Sequence, residues 1–230
     1  MTAALQAIVF DFDGVIANSE PLHLRAFQRT LEGDGLALTA EDYYARYLGY
    51  DDVGLLQALA RDRRIPLTDG EIAGLVAKKG TALQALLHAD AVLFPGAADF
   101  IRTSAGHVPI AIASGALRHE ILEILNAADL THLFATIVAS GDTPQSKPSP
   151  APYLLAFDRL RLESSRDIDP RRCVAIEDSR WGLESARGAG LRCVGVTTSY
   201  PAAELPGAEL VVGGLDELTV PTLDRLCASE

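Results

Sequence analysis

Apolar positions follow two rhythms along this chain. Residues 8–12, Ile-Val-Phe-Asp-Phe, run apolar without polar alternation until two acids and a glycine interrupt them at Asp11, Asp13 and Gly14. A continuous run of this kind predicts a strand covered on both faces of a parallel sheet. From Pro21 to about residue 90 the spacing is helical throughout, over residues 21–31, 41–48, 53–62 and 69–88, with Gly33-Asp34-Gly35, Gly49 and Pro66 as breaks. Proline at a first helical position marks the first of these starts. After Phe94-Pro95-Gly96, short apolar runs at 109–113, 136–139, 173–176, 193–196 and 210–212 alternate with helical periods at 117–127, 150–160 and 179–189. Such alternation predicts an α/β fold, a doubly wound parallel sheet of Rossmann type. The first strand therefore belongs to a core domain of residues 1–15 and 92–230, and residues 16–91 form an inserted all-helical domain of about 75 residues, a usual size for a small domain. Prolines 144, 148 and 150 make residues 143–150 a loop.

Composition narrows the partners. A formal net charge of -11 argues against a general nucleic-acid or anionic-membrane surface, which needs clustered Lys and Arg. The first residues lack the charged start of a secretory signal and no apolar run approaches a membrane span, so a cytoplasmic location is expected. Three cysteines with no metal-ligand spacing read as reduced, buried thiols.

In a parallel sheet the loops after successive strands share one edge, and here each carries a group suited to phosphate. The first holds Asp11 and Asp13; in an extended strand these positions point the same way. Two ionised carboxylates so close repel each other, a cost that a divalent cation or a shared proton relieves. The second loop offers Ser114 and Gly115 before a helix N-terminus. The third holds Lys147 as a point charge. The fourth places Glu177 and Asp178 where they can complete an oxygen shell for magnesium. Singly, each has a plainer reading: Asp178 or Ser179 as a helix cap, Ser114 likewise, Lys147 as a solvated side chain. Their ordered conjunction at four predicted strand ends favours a site.

The run Phe10-Asp11-Phe12-Asp13-Gly14-Val15, then Ser114, then Lys147-Pro148, then Glu177-Asp178-Ser179 with Gly182, resembles the motif series of the haloacid dehalogenase superfamily. The subgroup is the one with a helical cap inserted after the first strand, which includes β-phosphoglucomutase-like and phosphoglycolate phosphatase-like members. The resemblance covers essentially the whole chain. It implies Asp11 as a nucleophile forming an aspartyl-phosphate, Asp13 as general acid and base whose backbone carbonyl helps hold Mg2+, and Ser114 and Lys147 as phosphoryl ligands. It further implies Asp178 as a magnesium ligand, with Glu177 ligating directly or orienting a bound water. Asp13 helps exclude the dehalogenase branch, which lacks that acid. The expected substrate is a small phosphate monoester, and the expected assembly a monomer or weak homodimer.

Hydrolase and mutase members should part in the insert. His23 sits where mutase-like relatives carry a histidine at the hinge into the cap, which speaks for kinship more than for mechanism. A mutase needs positive charge for a second phosphate, and the corresponding stretch here holds Tyr50, Asp51 and Asp52, which would repel it. A phosphatase is therefore favoured over a mutase. Arg118, Lys78 and Lys79 remain as cations that can supply the missing charge from elsewhere. Among the aromatic residues Tyr43, Tyr44, Tyr47 and Tyr50, only Tyr50 lies in a predicted loop and is a candidate to touch substrate. A phospho-accepting receiver module is disfavoured by Asp13 and by the insert.

Overall fold

A computed structural model describes residues 4–33, 35–48, 50–87, 92–164 and 167–228. Among these, β1 (Ala7–Phe10), β2 (Ile110–Ala113), β3 (Thr136–Val138), β4 (Cys173–Glu177), β5 (Arg192–Val196) and β6 (Leu210–Val212) form one all-parallel sheet in the order β3-β2-β1-β4-β5-β6. The chain divides into two compact units, Met1–Asn18 with Val92–Glu230, and Ser19–Ala91.

In the sheet unit, β1, β2 and β4 are buried along their whole length, as their unbroken apolar sequences require. Helices α5 (Ala97–Ala105), α6 (Arg118–Ala127), α7 (Ala151–Glu163), α8 (Arg180–Gly188) and α9 (Val220–Ala228) belong to this unit. Val9, Ala111 and Ala175 form one core cluster with Tyr153, Phe157 and Leu160 of α7 and Leu183 and Ala186 of α8. Phe10 meets Phe100 and Phe134 edge-on at 6.0 and 6.1 Å between ring centres, the arrangement that ring quadrupoles favour. Cys173, Cys193 and Cys227 are free and buried.

Residues 16–18 stay with the sheet unit, three residues beyond the boundary expected from the sequence. Phe94 N–H donates to the Ile16 carbonyl (3.0 Å), Asn18 N–H donates to the Val92 carbonyl (2.6 Å), and Ala17 bridges Leu93. These bonds satisfy backbone groups that burial would otherwise leave unpaired.

The second unit holds α1 (Glu20–Leu31), α2 (Ala40–Asp42, continuing as a π-helical turn over Tyr43–Tyr47), α3 (Asp52–Arg63) and α4 (Asp69–Leu87). Phe27, Leu31, Tyr43, Tyr47, Leu55 and Leu59 make its core. The Tyr43 hydroxyl donates to Glu20 (2.6 Å) and that of Tyr47 to Asp62 (2.8 Å), so both phenols bury their rings and still satisfy their polar tips. No described helix is long and apolar enough to cross a membrane.

Candidate active site

Strand order builds the site. β1 lies between β2 and β4, with Phe10 in register with Ile112 on one side and Ile176 on the other. The first residues past these strand ends are thereby brought side by side, where open parallel sheets bind ligands. Asp11 N–H donates to the Ile176 carbonyl (2.9 Å), and Ser114 N–H to the Val138 carbonyl (2.9 Å).

The strand stops at Phe10, one residue before the first acid. The Phe12 carbonyl then accepts from the N–H groups of Ile16 (2.8 Å) and Ala17 (2.9 Å), which turns the chain tightly. The turn itself spans residues 14–16, and Asp13 thus lies beyond the strand, in an isolated parallel bridge with Ala17. It is half-buried, and its charge helps raise the pKa of Asp11. Gly14 has φ +79°, and a Cβ there would fall 1.9 Å from Asp178 Oδ2 and 2.9 Å from Ser199 Oγ. Only glycine allows that backbone to lie against the Asp178 carboxylate.

Lys147 is the hub. Its Nζ lies 2.8 Å from Asp11 Oδ1 and 2.6 Å from Glu177 Oε1, and its side chain is 14% exposed. Tyr153, wholly buried on α7, donates its hydroxyl to the same Glu177 oxygen at 2.7 Å. The Lys147 ammonium also stands 5.1 Å from the centre of the Tyr153 ring. Oxygens of Asp11, Glu177 and Asp178 lie within 4.8 Å of one another, all three residues buried. When ionised, three carboxylates against one ammonium leave an excess of two negative charges.

That imbalance is visible in the proton affinities. Burial and then the Glu177 charge raise Asp11 to about 7, against the lowering pull of Lys147. Asp178 is pushed well above the usual carboxylate range by burial, Asp11 and Glu177, with a Ser199 hydrogen bond opposing. Burial alone would lower Lys147, but Asp11 and Glu177 outweigh it and raise it. Oxygen donors with a shortage of positive charge are what a hard divalent cation relieves.

Ser114 is buried, and its Oγ accepts from Ala116 N–H (3.0 Å); α6 is instead preceded by Leu117, whose N–H is met by Glu120 (3.3 Å). A Cβ at Gly115 would meet nothing within 4 Å, so its backbone is open to approach. Ser179 does cap α8, accepting from Gly182 N–H at 3.1 Å, and Asp178 does not.

Two cations singled out in the sequence have carboxylate partners of their own. Arg118 donates to the Ile137 carbonyl (2.9 Å) and pairs with Asp142 (2.5 Å), so its guanidinium is occupied at the end of β3 by a carboxylate of its own. Lys79 is not a solvated side chain: it is 1% exposed, bonded to His23 Nδ1 (2.9 Å) and Asp52 Oδ1 (2.9 Å). Lys78 donates to the Thr30 carbonyl (2.8 Å) near the end of α1. Asp51 caps α3 through Gly54 N–H (2.7 Å). Tyr50 is 53% exposed and Tyr44 45%.

Sequence reasoning missed Tyr153, Thr198 and Ser199. Tyr153 begins the buried stripe Tyr153, Ala156, Phe157, Leu160, and a tyrosine on such a stripe signals a buried hydroxyl in need of a partner. Thr198, whose hydroxyl donates to the Gly14 carbonyl, and Ser199 follow β5, a strand end to which no role was given.

Comparison with known proteins agrees with this geometry. The family model of haloacid dehalogenase-like hydrolases matches residues 5–190. Protein CbbY of Rhodobacter capsulatus is 34% identical over 209 residues, 85% of this chain and 87% of that protein. The phosphorylated carbohydrates phosphatase of Thermotoga maritima is 30% identical over 200 residues, covering 85% and 87%. Among solved structures, CbbY of Rhodobacter sphaeroides in complex with xylulose-(1,5)bisphosphate superposes with a TM-score of 0.80 at 29% identity, over 93% of this chain and 96% of that one. A sheet edge of this construction, matched over most of the chain by that family model, means that the protein belongs to the haloacid dehalogenase-like hydrolase family and is an enzyme.

Proposed function

We propose that the protein is a magnesium-dependent phosphatase that hydrolyses a small sugar phosphate or similar monoester through an aspartyl-phosphate on Asp11. The observation that carries this reading is the buried ammonium of Lys147 bridging Asp11 and Glu177, with Asp178 alongside. A carboxylate attacks a dianionic phosphate only where cations screen their repulsion, and positioning with charge neutralisation is most of phosphoryl-transfer catalysis. The names of its relatives, a carbohydrate-phosphate phosphatase and a protein crystallised with a sugar bisphosphate, agree in substrate class.

In the first step an Asp11 oxygen attacks phosphorus, the ester P–O bond breaks, and Asp13 gives its proton to the leaving oxygen. In the second, Asp13 takes a proton from water as that water attacks phosphorus, the bond to Asp11 breaks, and phosphate leaves. Ser114 and the backbone at Gly115 orient the phosphoryl oxygens, and Lys147 neutralises charge on nucleophile and phosphate. The side chains of Asp11 and Asp178 fit Mg2+ as oxygen donors, with the Asp13 carbonyl; bound there, the ion supplies charge neutralisation and polarises the phosphoryl group.

A phosphatase fits better than a mutase because the cations considered for a second phosphate are committed. Lys79 is held by Asp52 and His23, Lys78 by a helix carbonyl, and Arg118 by Asp142. The decisive experiment is phosphate release from a panel of sugar phosphates with Mg2+, run beside conversion of β-glucose 1-phosphate with a trace of its 1,6-bisphosphate. Free phosphate is expected, with monophosphates cleaved faster than matched bisphosphates; isomer conversion without phosphate release would reverse the reading. Asp11→Asn should keep the fold and lose about a thousandfold or more in turnover.

A further inference from the structure

We infer that Glu177 is not a ligand of the divalent cation but, with Tyr153, a positioning residue for Lys147. This rests on the reading of Asp11 and Lys147 as the reacting pair. The argument is a count of hydrogen bonds. A carboxylate offers about four lone-pair sites. Glu177 Oε1 accepts from Lys147 Nζ (2.6 Å) and Tyr153 Oη (2.7 Å), and Oε2 from Asp178 N–H (3.2 Å), Ser179 N–H (3.4 Å) and Ser179 Oγ (3.2 Å). Five donors on one carboxylate leave no side open to a metal.

Packing points the same way. Glu177 is 0% exposed, and a Cβ at Gly182 would lie 1.8 to 2.0 Å from Cδ, Oε1 and Oε2. The carboxylate therefore lies against the bare backbone of the first turn of α8, where unpaired N–H groups and the helix dipole favour an anion. Asp178 is placed differently: Oδ2 lies against Gly14, and Ser199 is its hydrogen-bonding neighbour. The two adjacent acids thus divide the work. Asp178 is left for the cation, while Glu177 is fixed by α8 and in turn fixes the ammonium. Tyr153 completes the clamp: its hydroxyl and Lys147 converge on one oxygen, and its ring lies beneath the lysine. A lysine has four rotatable bonds, and two fixed anions, Asp11 and Glu177, together with the ring restrict it to one position.

The test pairs binding with kinetics. Isothermal titration of chelator-treated protein with MgCl2 should give Glu177→Gln an affinity within about threefold of wild type, whereas Asp178→Asn loses about tenfold or more. A loss in Glu177→Gln equal to that in Asp178→Asn would overturn the assignment. The volume-conserving Tyr153→Phe should lower kcat about tenfold while KM and Mg2+ affinity stay put, the signature of an interaction that matters in the transition state. Wild-type kcat in Tyr153→Phe, or a fall in its Mg2+ affinity, would equally overturn it. The titration needs no turnover, so a failure of the phosphatase reading would appear as an inactive wild type and leave this comparison standing.

Discussion

His23 and Lys79 show how one contact fixes a protonation state. An ammonium has only hydrogens to give, so at 2.9 Å the His23 Nδ1 must accept from Lys79, and the histidine proton resides on Nε2. Loss of hydration and the adjacent Lys79 charge both disfavour a second proton and lower His23 to about 3. Nitrogen-detected NMR should therefore find a neutral Nε2–H imidazole from pH 8 down to 5, where a free histidine would titrate. The stability consequence has a definite sign. A histidine depressed on folding favours the native state fully above its unfolded pKa near 6.5, and the advantage is lost as pH falls towards 3. Chemical denaturation of His23→Gln should accordingly show a shallower loss of stability than wild type between pH 6.5 and 3. At this scale, what could be read in advance were the polar groups after four of the strands, because strand ends share an edge: Asp11, Ser114, Lys147 in its loop, and Asp178. Partners that close a hydrogen-bond circuit from a distant element, such as Tyr153 from α7 and Ser199 after β5, follow from tertiary packing and not from local pattern. Asp52, expected with Asp51 to repel a second phosphate, forms an ion pair with the buried Lys79.

At the scale of elements, α3 owes its start to Asp51, whose carboxylate meets Gly54 N–H at 2.7 Å. Asp51→Ala removes the cap without touching a core side chain and should cost about 1 kcal/mol, measured by urea unfolding followed at the tyrosines of that unit. Most helices were predictable from their spacing. The exceptions explain themselves: α5 begins at Gly96 in the left-handed region with no side-chain cap, and α9 is nine residues long, so neither offers a strong start signal or a long period. The aromatic run at Tyr43–Tyr47 was expected as ordinary helix and is a π-turn, in which Tyr43 and Tyr47 face the core while Tyr44 faces out.

For the molecule as a whole, the discontinuous unit follows from one fact of topology: β1 must sit between β2 and β4 although helices intervene in sequence. The charge excess of Asp11, Glu177 and Asp178 when ionised is a repulsion that a bound divalent cation would relieve. Adding Mg2+ at about a hundredfold over its Kd should stabilise by about 2.7 kcal/mol, read as a rise in Tm that Asp178→Asn cuts by about half or more. The arrangement of chromophores and thiols then has a practical consequence. All three cysteines and the single tryptophan, Trp181, lie in the sheet unit, and four of the six tyrosines lie in Ser19–Ala91. Burial raises Cys173 and Cys193 to about 12 and Cys227 to about 11, so a thiol reagent meets almost no thiolate until the sheet opens. The rate of modification by a disulfide dye becomes a clock for opening of the catalytic unit alone, blind to the helical one, and ultraviolet absorbance of the tyrosines weights the other. The wild-type chain carries, without added labels, separate optical and chemical reporters for its two parts.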